Sequence, residues 1–411
     1  MSIITNLTGM LRIFRHRNYR VYAIGNSTSL VGLWMQRIAT GWLAWEMTGS
    51  GAWLGAIIFA DLFPTVIFGP IGGAVADRWS RLRILTIGQY LAMIQAFVLF
   101  ALLISDALTI WILLWLSIFV GIVSAFNQPA RISLYPSLVP RKDLAVALAT
   151  NSVIFNLARF IGPAMAGMTI VTFGVAAAFA ANALSYLVFI AALSQLKLTP
   201  RKADEKNRRR FIEDLRDGFA YTGSHKGIAT ILILLIATGL GARPIIELLP
   251  GFAAQHFNSG AEGLAILTSS IGIGAVFGGI WISGKAKSTP LTSVALSTSV
   301  LLAVSSAMFS FSTSFWFAVP ILLAVGAMMA ASGIATQTYI QLSVDADMRG
   351  RVVSIYGMIF RGAPALGALA MGAASDYVGL IWPVIIGSLL IMIISLWVHR
   401  RLKDPLGENI L

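Results

Sequence analysis

Apolar residues run along the chain in stretches of about twenty, separated by short polar segments, from residue 21 almost to the end. A hydrocarbon layer about 30 Å thick takes about 20 residues of helix to cross, so each stretch predicts one membrane-spanning helix. Twelve such stretches fall at 21–47, 52–76, 84–105, 109–134, 144–170, 175–196, 227–249, 262–284, 291–312, 314–342, 350–374 and 380–399. A barrel would instead show segments of about ten residues with alternating character. The first stretch is too long for a cleaved leader, and no small-residue cleavage site follows it.

The polar segments sort by charge. One set holds Arg12, Arg15, Arg17 and Arg20; Arg78, Arg81 and Arg83; Arg141 and Lys142; Lys197 through Lys226; Lys285 and Lys287; Arg349 and Arg351; and Arg400, Arg401 and Lys403. The alternate set, near 48–51, 106, 172, 250–261, 313 and 376–379, holds no Lys or Arg. Cytoplasmic loops carry the excess of basic residues, so both termini are expected in the cytoplasm. An even number of spans returns the chain to its starting side, in agreement.

Composition supports the same picture. Of 411 residues, 57% are hydrophobic and 11% charged, too few charges to coat a water-facing surface. The net charge of +13 would elsewhere suggest nucleic acid, but the basic residues cluster between apolar runs and read as topology signals. There is no cysteine, which excludes disulfides, thiolate zinc sites, iron–sulfur clusters and cysteine nucleophiles. His16, His225, His256 and His399 fall at span ends or in loops, which argues against a haem or histidine–metal centre within the membrane. No cofactor or metal is expected. Gly279 to Ala286 imitates a phosphate-binding loop but lacks its Ser/Thr and stands at a helix end rather than after a strand. Energy must then come from a gradient or a partner protein.

The largest polar stretch divides the spans six and six, predicting a bundle over 1–196, a cytoplasmic linker over 197–226 with a surface helix from Phe211 to Tyr221, and a bundle over 227–411. The halves echo each other at an offset of about 202 residues. Asp143 precedes span 5 and Asp345 precedes span 11; Arg159 leads to Gly162-Pro163-Ala164, and Arg361 to Ala363-Pro364-Ala365. Parallel repeats of six spans, with the substrate site between them near the midplane, mark one large class of transporters.

Ionisable residues inside a membrane are costly and read as functional. Arg37 in span 1 and Asp61 in span 2 each lie about three residues from the span midpoint, hence at a common depth about 4–5 Å from the midplane. They are expected to pair or share a network, either as a static ion pair or as a switch in which Asp61 gains a proton and releases Arg37. Arg243 and Glu247, four apart on span 7, are expected on one helix face, as proton-carrying or gating residues or as a plain intrahelical pair. Arg159 and Arg361 near the centres of spans 5 and 11 need a carbonyl, an acid or an anionic substrate, and packing against helix ends broken by Pro163 and Pro364 would serve. Asn26, Ser29, Gln36 and Thr40 follow helical spacing along span 1, either lining an aqueous path or joining helices. Gly162, Pro163 and Gly167 permit close helix approach and a bend in span 5.

Four stretches also carry a family pattern. They are Asn18-Tyr19-Arg20 through Gly32-x-Trp34-Met35-Gln36-Arg37 to Thr48-Gly49-Ser50; Gly73-x-x-x-Asp77-Arg78-x-x-Arg81-x-Arg83; Pro129-Ala130-Arg131, Pro136-x-Leu138-Val139-Pro140 and Asn156-x-x-Arg159-x-x-Gly162-Pro163-x-x-x-Gly167; and Glu247-Leu248-Leu249-Pro250 with Arg349-Gly350-Arg351. In these the chain resembles the major facilitator superfamily, and within it the enterobactin-exporter and macrolide-efflux branch, over nearly its whole length. One departure is Ser80, where the family loop usually has glycine, which is expected to weaken the tight turn slightly.

The resemblance implies an all-α membrane protein of twelve helices in two pseudo-symmetric six-helix bundles. It implies that spans 1, 4, 7 and 10 line the cavity, which puts Asn26, Ser29, Gln36 and Thr40, Asn127 and Gln128, and Gln337 and Gln341 on the substrate path. It implies that Asp77, Arg78, Arg81 and Arg83 form a gating loop latching the cytoplasmic side. Export follows from it by analogy. The expectation is a monomeric exporter in a bacterial inner membrane, moving a medium-sized amphipathic molecule such as a siderophore or macrolide against protons carried by Asp61 or Glu247, with Arg37 and Arg243 in the coupling network. The rivals are an uptake carrier or uncoupled facilitator, and a lipid-modifying membrane enzyme, for which no acid–base or metal cluster stands at an interface.

Overall fold

The computed structural model describes residues 12–198, 211–285, 289–345 and 347–402. The basic run Arg201–Arg210 of the expected linker, together with Ala286, Lys287 and Lys403, lies outside the described residues.

The described residues form helices, with no strand among them. In chain order these are α1 (Arg17–Thr48), α2 (Gly51–Leu62), α3 (Pro64–Arg78), α4 (Arg81–Ile104), α5 (Ile110–Leu134), α6 (Leu144–Phe173), α7 (Val175–Ser194), α8 (Phe211–Ser224), α9 (Lys226–Gly241), α10 (Ile245–Gly251), α11 (Gly260–Lys285), α12 (Leu291–Phe311), α13 (Phe315–Ser343), α14 (Arg349–Val378) and α15 (Ile381–Leu402). Among the described residues, eleven helical segments are long and apolar enough to cross a membrane. The predicted first span corresponds to α1, which is 32 residues long but more polar, carrying Arg17, Arg20, Arg37 and Glu46.

Local chemistry explains the helix ends. The hydroxyls of Ser50 and Thr109 accept the N–H of Trp53 and Ile112, both at 3.3 Å, capping α2 and α5. Glycines in the left-handed region follow α6 and α14, Gly174 at φ +83° and Gly379 at φ +80°. The two helices occupy matching places in the halves, so the internal repeat extends to the cap residue.

Two predicted spans are interrupted. Span 2 breaks at Phe63, because Pro64 has no N–H to continue the ladder, giving α2 and α3. Span 7 breaks over Ala242–Pro244, giving α9 and α10, and then passes through a π-turn at Phe252–His256. Pro129, Pro163, Pro320 and Pro364 sit inside uninterrupted helices.

The chain forms two compact units. One contains Met1–Leu43 and Pro64–Lys206, with α3 against α5, α4 against both α5 and α7, and α6 against α7. A core of Tyr19, Tyr22, Leu85, Tyr135, Phe189 and Leu193 closes one end of it. There Asp143 receives Arg12 at 3.5 Å and His16 at 3.0 Å, tying the segment before α1 to the start of α6.

The other unit contains Ala44–Phe63 and Asn207–Leu411. Here α9 lies against α14 and α15, α13 against α11 and α12, and α2 along α14. Glycines permit that last approach: a Cβ on Gly55 would collide with the Ala368 carbonyl, and one on Gly372 with the Gly51 carbonyl. The predicted surface helix is α8. It is fixed by an Arg351–Asp217 ion pair at 3.1 Å and by Tyr221, whose hydroxyl donates to Asp345 at 3.0 Å. Each half thus anchors the segment before its first span to the aspartate before its fifth.

Candidate functional site

The α1 stripe is placed differently from the expectation of a cavity lining. Gln36 is buried, donates to Gln95 Oε1 at 2.9 Å and accepts from Asn182 Nδ2 at 2.7 Å. Asn26 is buried and donates to Asn151 at 3.2 Å; Ser29 is buried and lies 3.4 Å from Gln89 Oε1. Three of the four stripe positions therefore join α1 to α4, α6 and α7, because a buried amide or hydroxyl in an apolar layer is satisfied most readily by another helix. Thr40 is half-buried. Asn127 is also buried, its amide seated over Gly88, where any Cβ would collide with it. Gln128, Gln337 and Gln341 are exposed.

Cations and aromatic rings meet in each half. In the first unit the Arg37 guanidinium carbon lies 5.5 Å from the Trp34 ring centre, and that of Arg159 lies 5.6 Å from the same ring. Phe155 meets Trp34 edge-on at 6.0 Å. Gly162 lets α6 close onto α1 here, since a Cβ would strike Trp34. The motif Arg159, Gly162, Pro163, Gly167 thus packs one arginine-bearing face of α6 against Trp34, within a helix that continues through Pro163. Contacts of this kind contribute about 0.5–2 kcal/mol, more as water is excluded.

In the second unit Arg243 lies with its guanidinium carbon 3.9 Å from the centre of Phe360. Arg243 and Glu247 were expected on one continuous helix face. They are instead separated by the break at Ala242–Pro244, where the Arg243 N–H reaches back to Thr238 O at 3.2 Å and the Glu247 N–H takes Pro244 O at 2.9 Å. Proline at 244 restarts the helix, so Arg243 sits in the gap between α9 and α10. The two halves use the same pair of helices with roles exchanged: ring on α1 and arginine on α6, then arginine beyond α9 and ring on α14.

Asp61 is half-buried near the end of α2, and Arg361 is half-buried on α14. Where α3 ends and α4 begins, Asp77, Arg78 and Arg83 are exposed, while Arg81 donates to the Ser133 carbonyl at 3.2 Å and staples the start of α4 to the end of α5. Ser80, expected to weaken this turn, instead caps α4 by accepting the Arg83 N–H at 3.5 Å, with its own φ at −62°, a value that needs no glycine.

Sequence reasoning missed Asn182, Gln89, Gln95, Phe360 and Asp376. Asp376 at the end of α14 accepts the N–H of Gly51 at 2.7 Å and holds the Ser50 hydroxyl. An isolated acid beside a loop without basic residues was the signal available for it. Among the described residues, no group of three His, Cys, Asp or Glu side chains assembles in a way that would hold a metal.

Solved structures of similar shape are transporters. A nucleoside transporter, NupG, superposes with a TM-score of 0.72 at 15% identity, over 94% of this chain and 99% of that one. A D-xylose–proton symporter does so at 0.73 and 12%, over 94% and 99%. These likenesses establish the fold. Among curated proteins, a staphyloferrin A transporter of Staphylococcus aureus is 24% identical over 92% of this chain and 96% of its own length. Macrolide efflux protein A of Streptococcus pyogenes is 23% identical over 91% and 93%, and the multidrug efflux pump Tap of Mycolicibacterium fortuitum 23% over 84% and 85%. The family model described as transmembrane secretion effector matches residues 8–409. With nearly its whole length matched, and with the helical architecture of the solved transporters, this multi-pass membrane protein belongs to the transmembrane secretion effector family of the major facilitator superfamily.

Proposed function

We propose that the protein is a secondary-active exporter that expels a medium-sized amphipathic molecule, of the siderophore or macrolide kind, in exchange for protons. The observation that carries this reading is the family match over residues 8–409, with relatives named for siderophore transport and macrolide efflux aligned over 92% and 91% of the chain. Two acids within the spans, Asp61 and Glu247, support proton coupling, since a carboxyl held in an apolar layer is the group whose protonation can change with access. The segregation of Lys and Arg supports placing both termini in the cytoplasm, and the bacterial relatives support a bacterial inner membrane as the location. Alternating access would then let protons reach Asp61 or Glu247 from outside, and their release inside would accompany uptake of cargo from the cytoplasm.

The test is accumulation of a labelled macrolide and of a labelled siderophore in cells lacking their own exporters. Expression of the chain should lower accumulation of one of them several-fold, and a protonophore should abolish the difference. Accumulation that rises on expression would mean uptake and would overturn the export reading.

A further inference from the structure

Arg243 is held in a way that the proton-coupling role does not require. Its guanidinium lies against the face of Phe360, 3.9 Å from the ring centre. On another side an Nη atom faces Gly333, where a Cβ would stand 3.3 Å from it. Among the described residues no ion pair joins Arg243 to an acid. Stacking on a ring, with the buried Tyr356 phenol also interacting with the guanidinium, recovers only part of the hydration that a cation loses within an apolar layer.

The surroundings are open to a ligand. Arg243 is half-buried, and Phe360 is 37% exposed. Space is free beside Gly357, one turn before Phe360, where an added Cβ would touch nothing within 4 Å. Gln337 follows Gly333 by four residues on α13, hence on the same helix face, and is exposed. An arginine stacked on an aromatic face still has edge N–H groups in the fork geometry that fits a carboxylate.

We propose that Arg243 is an anion-binding residue on the substrate path, and that the molecule carried bears a carboxylate received by the edge of its guanidinium, with apolar parts against Phe360. Gln337 is within the same face to hydrogen-bond the cargo's polar groups. This deepens the export reading and rests on it.

The experiment is calorimetric titration of the full chain in lipid nanodiscs with salicylate, citrate and a hydroxycarboxylate siderophore, each beside its neutral ester. At least one acid should bind while its ester does not. Binding should fall tenfold or more in Arg243→Gln and return in part in Arg243→Lys. Phe360→Ala, which frees the guanidinium without removing its charge, should weaken binding about threefold to tenfold and serves as the second variant if Arg243→Gln does not fold. Equal binding of acid and ester, or affinity unchanged in Arg243→Gln, would overturn the proposal. The accumulation assay with labelled macrolide and labelled siderophore separates the two claims. If either is expelled and no acid binds, the anion site is wrong and export stands; if neither is expelled and no acid binds, the export reading fails as well.

Discussion

The carboxylate of Asp376 sits on the N-terminus of α2, one oxygen 2.7 Å from the Gly51 nitrogen and the other held by the Ser50 hydroxyl. The first amides of a helix have no partner within it, and a negative charge there is favoured by the aligned peptide dipoles. Ser50 completes the cap by accepting the Trp53 N–H at 3.3 Å. One acid on α14 therefore fixes the start of α2, alongside the glycine contacts that join the two helices.

Asp376→Asn should keep the shape of this cap while removing its charge. A charge-assisted cap of this kind contributes about 1 kcal/mol, so a small fall in unfolding midpoint is expected, with a larger one for Asp376→Ala. Thermal unfolding of the purified variants checks this, and equal midpoints for all three proteins would show that the contact carries no stability.

Glycine positions should divide sharply. Gly55→Ala places a methyl group on the Ala368 carbonyl and should cost about 1–3 kcal/mol or prevent folding. Gly69, inside α3, has nothing within 4 Å of an added Cβ, so Gly69→Ala should raise stability by about 0.5–1 kcal/mol through helix propensity. Thermal midpoints and the yield of monodisperse protein distinguish the two outcomes.

Gln36→Leu should leave the Gln95 Oε1 acceptor and the Asn182 Nδ2 donor unpaired, at a cost of about 1–3 kcal/mol, while Gln95 keeps Leu116 and Asn182 keeps Ser185. Replacing all three by leucine should be far less harmful, because no orphaned polar group remains. Comparing midpoints of the single and triple variants tests whether the cluster joins helices; a single variant as stable as wild type would return Gln36 to the list of cavity residues.

Ser80 bears on how a departure from a family pattern is read. Ser80→Ala should cost about 0.5–2 kcal/mol and Ser80→Gly only a few tenths, since glycine is a tolerable cap and alanine a poor one. The reverse order, with glycine the more stable of the three residues, would mean that the turn and not the cap limits this loop.

Helix positions were legible in the sequence because membrane crossing imposes length and apolarity on each segment separately. The ends of α12, α13 and α14, and the amphipathic α8, fall close to where the pattern of polar residues puts them. Helix breaks were less legible. Pro64 and Pro244 mark interruptions, yet Pro129 and Pro163 sit in unbroken helices, so the outcome depends on how neighbouring helices take up the freed carbonyls. The site was legible in part. Arg37, Arg159 and Arg243 stand out as charges in apolar runs; of the rings they meet, Trp34 falls in a family stretch, but Phe360 is one aromatic among many. Gln36 shows the limit most plainly: its partners lie 59 and 146 residues away, so spacing along α1 could not say whether it faces water or Asn182.

The central claim is proton-driven export, and proton movement coupled to cargo tests it most directly. The protein is reconstituted in liposomes containing a pH-sensitive dye, a proton gradient is imposed, and macrolide or siderophore is added to wild type, Asp61→Asn and Glu247→Gln. The account predicts cargo-dependent proton flux in the wild type that disappears in at least one variant. Cargo that crosses without proton flux, at the same rate in all three proteins, would contradict it.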